Sequence, residues 1–287
     1  MTGSIEGAAR GPQNPSPEAV SEPTPADPVT RRAADIDETR RASQAWWDAN
    51  ADQYQREHGH FLGDDRWIWG PEGLDEAQAG LLGSVTGQRI LEVGCGAAAG
   101  SHWLRRAGAW PVGIDLSHRQ LQHSRRLDDA TGAVVPVVVG DAERLPFADA
   151  SFDGAASAYG ALPFVADGAA VMAEVARVLR PRSRWVFSVS HPIRWCFPDD
   201  PSAAGLTVDR SYFDRRAYVE QDADGRANYV EHHRTVSDWV RLVVAAGFTL
   251  VDVVEPEWPA DQRDVWGGWS PLRGRTLPGT LILVCQL

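Results

Sequence analysis

The segment at residues 90–100 constrains this chain more than any other. There an apolar run, Ile90-Leu91-Glu92-Val93, breaks into Gly94-Cys95-Gly96 and continues as Ala97-Ala98-Ala99-Gly100. A short apolar strand that enters a glycine turn and opens a helix is the first βα unit of a nucleotide-binding sheet. Gly94 and Gly96 let the backbone approach a ligand closely and leave amide donors free at the helix start. Nineteen residues after Gly96, a second apolar run ends at Asp115-Leu116. A carboxylate at that strand end can accept both hydroxyls of a ribose. The pair predicts a cofactor that contains a nucleoside.

The rest of the chain supports the same architecture. Short apolar runs at 90–93, 111–115, 134–139, 152–157, 185–189, 249–254 and 280–284 alternate with amphipathic stretches at 100–108, 117–129, 166–179 and 236–246. This rhythm predicts βαβ units and a parallel sheet. Ahead of it, apolar residues at helical spacing predict a helix over 37–57, an aromatic loop, and a short helix over 74–82. Residues 192–229 have no such rhythm and read as an insertion over the strand ends. Residues 1–36 are rich in Pro, Ser, Gly, Ala and Glu and poor in large apolar side chains, which predicts a disordered tail. With 287 residues in all, the remainder fits one large domain over 37–287.

Composition narrows the partners. A net charge of -11 argues against a protein that neutralises phosphates on nucleic acid or an anionic membrane, and makes a small molecule the expected partner. Cys95, Cys196 and Cys285 lie far apart, with no CxxC pair and no histidine cluster at ligand spacing, so neither a disulfide framework nor a metal site is expected. The absence of a basic and apolar leader and of a long apolar run predicts a chain that stays in the cytoplasm.

The glycine spacing alone leaves two cofactors open, because Gly94-x-Gly96-x-x-Ala99 also fits the dinucleotide pattern of an NAD-dependent oxidoreductase. Three features favour S-adenosylmethionine. Glu92 at the strand tip suits a cationic amino acid end better than a pyrophosphate. The turn Gly140-Asp141-Ala142-Glu143 offers a carboxylate and amides to an adenine ring. Finally, Leu145-Pro146-Phe147-Ala148-Asp149-Ala150-Ser151-Phe152-Asp153 leads directly into the fourth strand.

At these residues the chain resembles the class I S-adenosylmethionine-dependent methyltransferases, in particular their type 11 branch, which is similar to ubiquinone and menaquinone methyltransferases. The resemblance implies an α/β fold: a Rossmann-like, doubly wound, seven-stranded sheet with an antiparallel last strand, an N-terminal helical lid over 37–84, a cofactor core over 88–190, an insertion after strand five over 191–234, and a C-terminal helix and strands over 235–287. It implies that Glu92, Gly94, Cys95 and Gly96 meet the methionine part, Asp115 and Leu116 the ribose, and Asp141, Ala142 and Glu143 the adenine. Ala158 and Tyr159 would flank the sulfonium, and Tyr54 resembles the lid tyrosine of the family. Ala98 and Arg182-Ser183 stand where the family has glycines.

For the acceptor the residues give weaker signals. His191, after the fifth strand, is a candidate base by its ordinary pKa, although a strand-end histidine is also a common structural residue. Many of the twelve tryptophans lie outside the nucleotide core, where they either form aromatic walls or simply pack loops. Trp69, Phe164, Trp195, Trp266 and Arg273 are the expected acceptor contacts, with Arg194 and Arg275 as further partners for a carboxylate. A non-catalytic module that only binds the cofactor is the other rival reading.

Overall fold

The computed structural model describes residues 28–287. Most of the expected tail, residues 1–27, lies outside them. The last part of that tail is ordered. Strand β1 (Val29–Arg32) is followed by Asp35, whose carboxylate accepts the Glu38 amide and caps the long helix α1 (Ile36–Leu62). The expectation of disorder through residue 36 fails here because distant chain supplies a partner. β1 pairs antiparallel with β7 (Ala217–Gln221), which pairs in turn with β8 (Ala227–Glu231).

The main sheet has seven strands. In chain order they are β2 (Arg89–Val93), β3 (Trp110–Asp115), β4 (Val137–Val139), β5 (Phe152–Ala158), β6 (Leu179–Ser190), β9 (Thr249–Val254) and β10 (Thr280–Gln286). Their spatial order is β4-β3-β2-β5-β6-β10-β9, with β10 antiparallel to both neighbours and the other pairings parallel. This is the Rossmann-like doubly wound sheet expected. Strands buried on both faces read as continuous apolar runs, which is why 90–93 and 280–284 stand out in the sequence. β4 is shorter than expected because Pro136, without an N–H to give, marks its beginning.

Helices cover both faces. α5 (Gly168–Val178) and α6 (Val236–Ala245) bury Val171, Met172, Val175, Trp239 and Val243 against one face. Trp67, Trp69 and Leu104 of α3 (Ala99–Arg106) pack on the other, near the short α2 (Glu76–Ala79). α4 (His118–Thr131) is capped by Ser117, α6 by a reciprocal Thr235–Asp238 capping box. A last short helix, α7 (Pro271–Gly274), precedes β10. Because β3 and β4 lie to one side of β2 and the later strands to the other, the chain reverses direction between β2 and β5, and a crevice opens at their C-terminal ends.

The stretch expected to be an irregular insertion contains regular structure: two 3₁₀ turns, Pro192–Cys196 and Ala203–Leu206, and then the β7–β8 hairpin. Its turn carries Asp224-Gly225, with Gly225 at φ 76°. Alternating residues around an Asp-Gly turn are a hairpin signal in the sequence. Among the described residues no helix is long and apolar enough to cross a membrane, and no group of three or more His, Cys, Asp or Glu side chains is placed to hold a metal ion.

Candidate active site

A cleft of about 450 Å³ lies over the β2–β5 crevice, roofed by α1 and by the 255–270 loop. Its floor is the glycine turn. Gly94 has φ 69°, and a Cβ there would meet the Ala161 amide nitrogen at 2.4 Å, so only glycine lets the β2 and β5 loops approach this closely. Asp115, at the tip of β3, is fixed from both sides: Oδ2 accepts the Gly96 amide at 2.8 Å and Oδ1 the Ser117 amide at 2.9 Å. Burial pushes its pKa up, and those amides partly offset the push.

Glu92 is 6% exposed, and its carboxylate accepts the Ser101 hydroxyl at 2.5 Å. Burial raises its pKa to about 7. No cationic side chain pairs with it among the described residues, so the cleft holds a buried carboxyl without its counter-charge. A Cβ on Gly100 would sit 2.5 Å from Glu92 Oε1, so the helix start has to be bare at that point. Asp141 lines the cleft one strand further on; its Oδ1 accepts the Glu143 amide at 2.9 Å.

These contacts make a shape test for the expected cofactor. An unpaired acidic group at one end, an anchored carboxylate in the middle and a second carboxylate with Ala142 at the other follow the order ammonium, ribose, adenine. The residues fit it.

The roof is aromatic. Trp47 meets Tyr54 edge-on at 5.3 Å and Phe164 at 5.4 Å; Trp46 meets Tyr229 at 5.0 Å. Trp266 packs on Tyr54 and stacks on the His58 ring at 4.1 Å. Burial raises the Tyr54 phenol well above its ordinary pKa.

Of the residues singled out from the sequence, Tyr54, Glu92, Gly94, Cys95, Gly96, Asp115, Leu116, Asp141, Ala142, Ala158, Tyr159, Phe164 and Trp266 all line this cleft. Five do not. Glu143 turns away to accept the Asp167 amide at 2.7 Å. His191 is committed elsewhere: Nδ1 accepts the Ile193 amide at 3.1 Å and Nε2 lies 2.7 Å from Glu255 Oε1, so the ring caps a 3₁₀ turn instead of facing the acceptor. Trp69 is fully buried and its indole N–H donates to Glu76 at 2.8 Å. Trp195 lies beneath two arginines, Arg31 and Arg194, outside the cleft. Arg273 is buried, gives hydrogen bonds to the Pro198 and Gly268 carbonyls, and stacks on Trp269 at 4.6 Å. Tyr159 does reach the cleft, but its hydroxyl donates to the Gly279 carbonyl at 2.9 Å, and burial raises its pKa. The sequence reading missed Tyr229 and Glu231, which β8 places on the cleft wall.

Sequence comparison agrees with the geometry. A family model described as a methyltransferase domain matches residues 91–187. A demethylmenaquinone methyltransferase of Mycolicibacterium paratuberculosis is 36% identical over 258 residues, covering 87% of this chain and 94% of that protein. A crystal structure of an S-adenosylmethionine-dependent methyltransferase from Mesorhizobium loti superposes with TM-score 0.60 at 29% identity, over 74% of this chain and 96% of that one. A Burkholderia thailandensis 1,6-didemethyltoxoflavin-N1-methyltransferase, solved with S-adenosylhomocysteine, shares the fold with TM-score 0.58 at 17% identity, over 91% and 93%.

Fold and cleft together define a class I S-adenosylmethionine-dependent methyltransferase. The chain belongs to that family, in its type 11 branch. It is an enzyme that methylates a small molecule with S-adenosylmethionine as donor, and the readings as an NAD-dependent oxidoreductase or a non-catalytic module give way.

Proposed function

We propose that this enzyme methylates a flat, largely apolar ring compound held between the α1 aromatics and the β8 wall. The observation that carries the reading is the aromatic wall itself: Trp46, Trp47, Phe164, Tyr229 and Trp266 line the same cleft as Glu92 and Asp115. Aromatic side chains favour a planar partner through offset or edge-on packing. The name of the mycobacterial-type relative, a demethylmenaquinone methyltransferase, points to a ring acceptor for that protein and supports the same class here. The net charge of -11 supports a small-molecule acceptor over a nucleic acid, and the spread cysteines support a cytoplasmic setting.

S-adenosylmethionine, when bound, supplies an electrophilic methyl group on a good leaving group. The work left to the chain is alignment and exclusion of water. Glu92 holds the cationic amino end, Asp115 takes the ribose hydroxyls, and Asp141 with Ala142 receives the adenine. Tyr54 covers the cofactor side of the cleft, while Ala158 and Tyr159 border the place of transfer. With its hydroxyl donated to the Gly279 carbonyl, Tyr159 serves as wall and not as base.

Calorimetric titration of the protein saturated with S-adenosylhomocysteine tests the acceptor class, since naphthalene is expected to bind and its saturated counterpart decalin is not, and titration with S-adenosylhomocysteine itself tests the cofactor contacts. Binding in the micromolar range is expected for the intact protein and loss of about 2 kcal/mol or more for Asp115→Ala and Asp141→Ala, since each leaves ligand donors unpaired. Absence of S-adenosylhomocysteine binding to the folded protein would overturn those contacts, and equal binding of naphthalene and decalin would overturn the acceptor class.

A further inference from the structure

The acceptor end of the cleft has a polar corner that the cofactor does not use. Arg194 comes from the 3₁₀ turn that His191 caps, its backbone N–H held by the His191 carbonyl at 3.0 Å. Its guanidinium lines the cleft and rests on the Trp195 ring at 4.6 Å. Only 17% of the side chain is exposed. Of its five N–H groups, one makes a hydrogen bond among the described residues, Nη1 to Glu231 Oε2 at 3.3 Å; Asp199 approaches only to 3.7 Å and is itself largely exposed. Glu231 is 6% exposed and follows Tyr229 by two on β8, so both side chains point to the same side of the hairpin, into the cleft. Burial works against the Arg194 charge, but Glu231 and Asp199 outweigh it and hold the guanidinium ionised, with N–H groups left over for a ligand.

We propose that Arg194 and Glu231 read one edge of the acceptor, and that this edge carries a hydrogen-bond donor beside a carbonyl-type oxygen, as in a cyclic amide or an enolised hydroxyketone. The inference rests on the methyltransferase reading and deepens it. The carboxylate accepts and the guanidinium donates, side by side, so the complementary ligand edge donates and accepts in the same order. Charge favours a neutral edge. With two carboxylates near one guanidinium, an anionic ligand meets net repulsion at this corner, whereas a neutral donor–acceptor edge meets none. The aromatic walls set the second requirement, a planar ring, and their polar corner fixes how that ring is turned toward the place of transfer.

The test uses three flat bicyclic probes titrated calorimetrically against the full chain saturated with S-adenosylhomocysteine: isoquinolin-1(2H)-one, which carries the donor–acceptor edge; isoquinoline, which lacks it; and 2-naphthoate, which is anionic. The cyclic amide is expected to bind about tenfold or more tighter than either of the others, the size expected when the poorer ligand leaves one hydrogen bond of the site unmade. Glu231→Leu, which can no longer accept, and Arg194→Lys, which loses the fork, should each reduce that preference about tenfold, while Glu231→Gln, which can still accept, should keep most of it. Equal binding of the first two probes, or tightest binding of 2-naphthoate, by protein that binds S-adenosylhomocysteine overturns the inference and leaves the methyltransferase reading intact. Failure to bind S-adenosylhomocysteine would strike that reading instead.

Discussion

Replacing Glu92 by Gln separates what the fold needs from what the site needs. In the folded chain this carboxyl has a pKa of about 7 against 4.5 for an ordinary glutamate, because burial disfavours its charge. The folded state therefore binds the proton more tightly than the unfolded state, and stability falls as pH rises from the lower value to the higher. Once both states are ionised the difference is worth about 3 kcal/mol; near pH 5 it is worth about 1 kcal/mol or less. Glutamine keeps the size and still accepts the Ser101 hydroxyl, but never charges. Urea unfolding without cofactor should find Glu92→Gln more stable than the parent by about 3 kcal/mol at pH 8 and by about 1 kcal/mol or less at pH 5. Binding should move the other way. A cationic ligand end favours the ionised carboxylate, so the parent's affinity for S-adenosylhomocysteine should drop toward tenfold per pH unit below about 7, while the variant binds weakly and without that slope. A variant less stable than the parent at pH 8, or one that keeps the parent's pH slope in binding, would refute the account of Glu92 as a buried acid awaiting a cation.

Two further substitutions probe residues that the sequence reading weighed. His191→Asn should leave S-adenosylhomocysteine affinity unchanged and cost about 1 kcal/mol of stability, because asparagine can take over the cap on Ile193 but not the Glu255 contact. Burial lowers the His191 pKa from 6.5, so the parent should lose stability as pH falls below that value and the variant should lose less, which denaturation at pH 5.5 and 7.5 will show. Arg182 sits at φ 68° at an exposed irregularity within β6, where the β5–β6 register shifts, with its N–H bound to the Leu287 carbonyl, so Arg182→Gly should relieve left-handed strain and raise stability by about 1 kcal/mol, or about 2 °C in thermal unfolding.

What the sequence made legible was local. Glu92, Gly94, Gly96 and Asp115 fall within one strand–turn–helix–strand unit, where spacing alone sets geometry, so their convergence is encoded in about 25 consecutive residues. The strands themselves also showed, since buried strands announce themselves as apolar runs, but the seven-stranded sheet with its antiparallel last strand came with the family resemblance. Tryptophan positions carried far less. Trp69 and Trp266 look alike in sequence, yet one donates to buried Glu76 beneath the sheet and the other closes the cleft against His58. Arg273 and Arg194 look equally available. Carbonyls from residues 198 and 268 take up the first, and only the fold brings those carbonyls to it.

The acceptor wall was hidden for the same reason. β8 becomes a wall only because β7 pairs with β1, nearly 190 positions earlier, and because α1 lays Trp46 against Tyr229. Neither contact has a local signature, although the Asp224-Gly225 turn marks the hairpin itself. The division has a physical logic. Cofactor contacts need rigid strand ends and glycine turns, so they come from contiguous sequence and survive a change of acceptor. The proposed acceptor contacts come from five separate pieces, α1, the turn after β5, the turn after β6, β8 and the loop before α7, joined only by packing. Substitutions in β8 or the turn after β6 are therefore expected to change acceptor choice while leaving affinity for S-adenosylhomocysteine unchanged.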